Sequence, residues 1–143
     1  MKKDLKVTLI GLSLVLLSAC ASNEIVLAPD TRPGDQLKAE YLVGRWCTER
    51  ELTAKANKEA GHSAITNLEK QFWEFRADGE WMDSVSGWMY NHYGEWRLEG
   101  RDNLVLDPKK GNAISYRASF ANAGVELHLT DEAEQFLVLG RCD

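Results

Sequence analysis

No apolar run in this 143-residue chain is long enough to cross a bilayer as a helix. The longest, Val7 to Leu17, covers eleven residues, against the roughly 20 that a hydrocarbon core of ~30 Å requires. Cysteine is scarce: there are three, and no two form a Cys-x-x-Cys, which argues against a redox dithiol or a zinc site. The three histidines, His62, His92 and His128, stand at no metal-ligand spacing, so no metal site is expected. None of Ser84, Ser86 and Ser119 has a Gly-x-Ser-x-Gly context. Asp131-Glu132-Ala133-Glu134 lacks the calcium-loop pattern and reads as a polar turn. Glu74, Asp83 and Glu95 could supply a carboxylate pair, but solvated strand faces account for them better. With no catalytic constellation, the expectation is a protein that is not an enzyme and carries no cofactor. Positive charge is also in deficit, 17 basic against 22 acidic residues. An acidic domain has no electrostatic reason to bind nucleic acid or anionic lipid head groups.

What is present begins at the first residue. Met1-Lys2-Lys3-Asp4-Leu5-Lys6 is a short basic head, followed by the uncharged run to Leu17. A basic region and a short apolar region in this order form an export signal. The run ends in Leu17-Ser18-Ala19-Cys20, which resembles the lipobox of bacterial lipoproteins. The resemblance implies cleavage after residue 19, diacylglycerol on the Cys20 thiol, and a palmitate-type acyl chain on the new amino group. Several acyl chains together hold a soluble domain on a membrane, where one alone is marginal. Ala21 follows the cysteine where inner-membrane lipoproteins of enterobacteria carry Asp, so the resemblance implies the periplasmic face of the outer membrane.

Removing residues 1–19 leaves 124 residues, the size of one domain. The removed part holds three lysines and one aspartate, so the net charge moves from −5 to −7. Cys47 and Cys142 remain, an even number in an oxidising compartment, and a disulfide between them is expected, with free thiols as the alternative. The bridge would close about 96 residues and stabilise by about 4–5 kcal/mol on chain-entropy grounds. Residues 20–38, with Pro29 and Pro33 and little apolar periodicity, read as the lipidated end and a flexible tether. The folded domain is then 39–143.

From Tyr41 onward apolar residues recur with period two. Tyr93 to Glu99, Ile114 to Phe120 and Val125 to Thr130 each alternate, and turn signals separate them at Asp78-Gly79, Gly100–Asn103, Pro108–Asn112, Asn122–Gly124 and Asp131–Glu134. Eight short strands are predicted, at about 41–51, 66–77, 80–87, 92–99, 103–107, 113–121, 124–130 and 136–142. Without crossover helices they must pair antiparallel, and eight strands can close into a barrel whose interior is just filled or holds one small ligand. Around Asp78-Gly79, a three-residue loop with Gly79 in the left-handed region sets Arg76 against Glu80 and Phe75 against Trp81, with Trp73, Phe75, Trp81 and Val85 inside. Between Glu49 and Gln71 a long first strand and a mobile loop near residues 57–61 are expected, with a short helix at about 52–60 as the alternative.

Gly44-Arg45-Trp46 on the first strand and Arg141 on the last resemble the Gly-x-Trp and cross-packing Arg of the lipocalin and lipocalin-like families. Phe75-x-x-Asp78-Gly79-x-Trp81 and Tyr93-Gly94-Glu95-Trp96 are similar to small bacterial lipocalin-like domains. The resemblance covers about residues 41–143 and implies an all-β, antiparallel up-and-down barrel. If Cys47 faces Cys142 across the seam, Thr48 faces Arg141, and Arg141 is a diagonal neighbour of Trp46. Trp46, Leu137, Leu139 and Arg141 then point inward and both cysteines outward.

Five tryptophans (Trp46, Trp73, Trp81, Trp88 and Trp96) with Phe75, Tyr116 and Phe120 are many rings for so small a barrel. They could simply fill the core. They could also line a pocket for a small apolar or amphipathic molecule, with Trp73, Phe75, Trp81, Trp96, Tyr116 and Phe120 as lining and Met89 to Tyr93 as the mouth. The expected role is ligand binding; the alternative is a non-enzymatic module that binds an envelope protein through a packed barrel.

Overall fold

The computed structural model describes residues 24–63, 71–85 and 89–142. The signal peptide, Cys20, Ala21, Ser86, Trp88 and the side chains of Val85 and Met89–Asn91 lie outside the described residues.

Eight antiparallel strands run in sequence order around a closed barrel. They are β1 (Gly44–Thr48), β2 (Gln71–Phe75), β3 (Glu80–Val85), β4 (Met89–Glu99), β5 (Asn103–Pro108), β6 (Ile114–Ala121), β7 (Glu126–Thr130) and β8 (Phe136–Arg141). The interior follows from the alternation. Trp46, Trp73, Phe75, Trp81, Trp96, Leu104, Leu106, Ala118, Phe120, Leu127, Leu129 and Leu139 form one buried cluster. The β2–β3 hairpin has the register read from its charges and rings: Phe75 faces Trp81, Arg76 Nη1 lies 3.2 Å from Glu80 Oε2, and Gly79 has φ +90°.

The first strand is shorter than expected. It stops at Thr48, and α1 (Arg50–Glu59) follows where a long strand and a loop were expected. The helix alternative is therefore the one realised. Ala, Leu, Glu and Lys favour it, and Gly61, at φ +80°, follows its end. Because β1 is short, the outer edge of upper β8 has no strand beside it. Glu49 N–H donates to the Val138 carbonyl at 2.9 Å. Thr53 Oγ1 accepts from Val138 N–H at 2.9 Å. Asn57 Nδ2 donates to the Phe136 carbonyl at 2.8 Å and its Oδ1 accepts from Phe136 N–H at 2.9 Å. Both helix side chains are buried, and they close the seam where the strand ends.

Lower on the seam, Trp46 faces Arg141 and Cys47 faces Gly140. This differs by two residues from the expected pairing of Thr48 with Arg141, although the same residues still point inward. The Arg141 guanidinium decides the register: Nη1 and Nη2 donate to the carbonyls of Val43 at 2.6 Å and Tyr41 at 2.8 Å, and Cζ lies 4.0 Å from the Trp46 ring centroid. Gly44, at φ +126°, leaves room for it; a Cβ there would run into Nη1. The Cys47–Cys142 disulfide spans the seam diagonally, with Cα atoms 5.6 Å apart.

Residues 24–38, read from sequence as part of a flexible tether, are packed. Thr31 N–H donates to the Phe120 carbonyl and Leu37 N–H to that of Arg101, both at 2.8 Å. Gly34 N–H and Ala123 N–H donate to the carboxylates of Asp102 and Asp30. Ala28, Leu37 and Leu42 are buried. Ile25–Ala28 and the lone Leu37 gave no periodicity to detect, yet the segment crosses the barrel end that carries the β2–β3, β4–β5 and β6–β7 turns. All strand pairings and this seal fall within residues 24–142.

Candidate functional site

The barrel interior divides into two layers of rings. In the lower layer, next to the N-terminal segment, Trp46 and Phe120 have centroids 6.0 Å apart, Tyr41 and Phe120 5.9 Å, and Phe75 and Trp96 5.5 Å. Both of its indole nitrogens are hydrogen-bonded. Trp46 Nε1 donates to the Leu42 carbonyl and Trp96 Nε1 to the Arg76 carbonyl, each at 2.9 Å. Phe75, Trp96 and Phe120, expected as pocket lining, belong to this packed layer.

Trp73, Trp81 and Tyr116 form the upper layer. Trp73 lies 6.4 Å from Trp81 and 6.0 Å from Tyr116, and Trp81 stacks on His92 with planes 7° apart. Trp73 and Trp81 are 5% and 2% exposed, and neither indole N–H has a hydrogen-bond partner among the described residues. A buried donor left unpaired costs on the order of 1–3 kcal/mol, and such a group calls for a partner such as water or a ligand. Four tryptophans in one barrel thus behave differently by layer: two are tied to backbone carbonyls, and two bury donors that have no partner among the described residues. The sequence marked all four as inward-facing but carried no signal for this difference, which depends on which carbonyls come within reach after folding.

Asp83 shares the upper layer. It is buried, faces Trp73 across the ladder, accepts from His92 N–H at 3.0 Å, and has Oδ2 3.0 Å from His92 Nδ1. The β3–β4 ladder shifts between Asp83 and Ser84, a bulge of the kind that re-aims side chains at barrel rims. Burial pushes the Tyr116 hydroxyl above its ordinary pKa, and the charges of Asp131 and Asp83 add to that. The rim carries Ile114, exposed, and Leu137, half-buried; they face Leu106 and Leu129 in register and so share the interior side.

The remaining sequence candidates do not converge. Glu74 pairs outside with Arg45 and Arg76, Glu95 lies outside opposite Glu80, and only Asp83 is internal. His128 is outside beside Glu126 at 2.9 Å. His62 follows α1 and donates its backbone N–H to the Asn57 carbonyl. Among the described residues no three His, Cys, Asp or Glu side chains are grouped to hold a metal ion, and no helix is long and apolar enough to cross a membrane.

No family model matches the chain, and no curated protein or solved structure is significantly similar to it.

Proposed function

We propose that this protein is a lipoprotein of the bacterial envelope, anchored through Cys20 to the periplasmic face of the outer membrane. Its lipocalin-like barrel takes up a small, largely apolar molecule through the end opposite the N-terminal segment, without transforming it. The observation that carries the reading is the pair of buried, unpartnered indole donors at Trp73 and Trp81, set among apolar rings at the end that the N-terminal segment leaves uncovered. Pockets for small molecules combine apolar walls with a few placed polar groups in this way.

The alternative, a protein-interaction module on a packed barrel, calls for a contiguous exposed apolar patch. Among the described residues the large exposed apolar side chains are Ile25, Leu27, Leu52, Tyr93, Ile114 and Val125. Ile25, Leu27 and Val125 lie at the closed end, where the N-terminal segment packs on Gly124, while Leu52, Tyr93 and Ile114 stand on three separate elements.

Native mass spectrometry tests it, on residues 21–143 exported behind a cleavable secretory signal and never reduced. A mass two units below the dithiol value, with a small adduct lost on activation, is the expected result. An adduct-free mass that stays so after incubation with apolar compounds would sink the binding role. Acylation is checked separately: the full chain should leave the membrane fraction on Cys20→Ser.

A further inference from the structure

Resting on the ligand reading above, we infer that the upper layer selects an uncharged apolar molecule bearing an acceptor oxygen, such as an ester, amide or ketone, over the corresponding carboxylate. Three observations converge on this class. The first is the donor set. An indole N–H can only donate, so the atom that satisfies Trp73 Nε1 and Trp81 Nε1 must be an acceptor. An unfunctionalised hydrocarbon would leave both donors unpaired.

The second is charge. Asp83 is a buried carboxylate facing Trp73, and burial first, then the charges of Asp131 and Asp83, oppose ionisation of Tyr116 in the same layer. A second carboxylate brought into that layer would meet repulsion in a low-dielectric site. Arg141, which the register places on the interior side, is engaged in the lower layer by the Val43 and Tyr41 carbonyls and the Trp46 ring. Lys109 and Lys110 lie beside His92 on the β5–β6 loop and are exposed, where solvent screens them. His92 holds its ring nitrogen against Asp83 and so is directed to that carboxylate.

The third is the wall. Trp73, Trp81 and Tyr116 supply ring surface in this layer, and Ile114 and Leu137 lie on the interior side of the rim in register with Leu106 and Leu129. That suits an alkyl or aromatic body, with the acceptor as its single polar contact.

Three probes of matched length separate the terms: methyl decanoate, decanoate and undecane, titrated at pH 7.5 into residues 21–143 with tryptophan fluorescence as the readout and native mass spectrometry as the check. Methyl decanoate should bind at least tenfold more tightly than either of the others. Trp73→Phe and Trp81→Phe keep a ring and remove the donor; each should narrow the gap between ester and hydrocarbon while the melting temperature holds. Decanoate binding as well as the ester, or an unchanged gap in both Phe variants, overturns the inference and leaves the binding role standing. Failure of all three probes to bind overturns the binding role itself and leaves water as the partner of the two indoles.

Discussion

Asn57 exchanges two hydrogen bonds with the backbone of Phe136 while fully buried. Asn57→Ala leaves a donor and an acceptor of β8 unpaired and should cost about 2–4 kcal/mol. Urea unfolding checks this, the expected change being a lower midpoint at unchanged slope. Gly44→Ala places a methyl group against the Arg141 guanidinium at a positive φ and should destabilise by about 1–3 kcal/mol; an unchanged midpoint would show that Arg141 is not what holds the seam. Trp96→Ala removes a ring from the packed layer together with its bond to Arg76. The expected loss is about 3–5 kcal/mol, with a neutral result refuting its place in the core. Among these residues Gly44, Trp46, Trp96 and Arg141 were legible because size, period and the family resemblance all point inward. Thr53 and Asn57 were not. Polar residues four apart on a charged helix read as solvated, and their role exists only because β1 ends too soon to pair with upper β8.

The elements divide along the same line. Strand number, order and the β2–β3 turn follow from alternation and from Asp78-Gly79, local signals that the fold obeys. The Cys47–Cys142 pairing follows from counting cysteines, but its diagonal seating does not, because the register is set by the reach of one arginine to the carbonyls of Val43 and Tyr41. Since the bridge joins residues 95 apart, Cys47→Ser should destabilise by up to about 4–5 kcal/mol. Melting with and without reductant measures it, and equal midpoints would refute a stabilising bond. The N-terminal segment was the least legible element. It is held by backbone hydrogen bonds to turns distant in sequence, which leave no pattern in its own residues. Removing residues 24–36 should expose the lower ring layer and lower the melting temperature; an unchanged value would mean that the segment only rests on the barrel.

At the scale of the molecule, one end is closed by the chain's own leader into the domain and the other holds the unpaired indoles. This arrangement fixes an orientation once the anchor is considered. Glu24, the first described residue, is four positions from Cys20, and an extended chain covers at most ~3.5 Å per residue. With Cys20 acylated as proposed, the described chain therefore begins within ~14 Å of the bilayer surface. The segment that leaves the lipid runs directly across the closed end, which sets that end toward the membrane. The protein would then stand with its upper ring layer toward the aqueous compartment. It would collect its cargo from the periplasm rather than from the leaflet that holds it, and would pass that cargo on only to something that approaches from the same side.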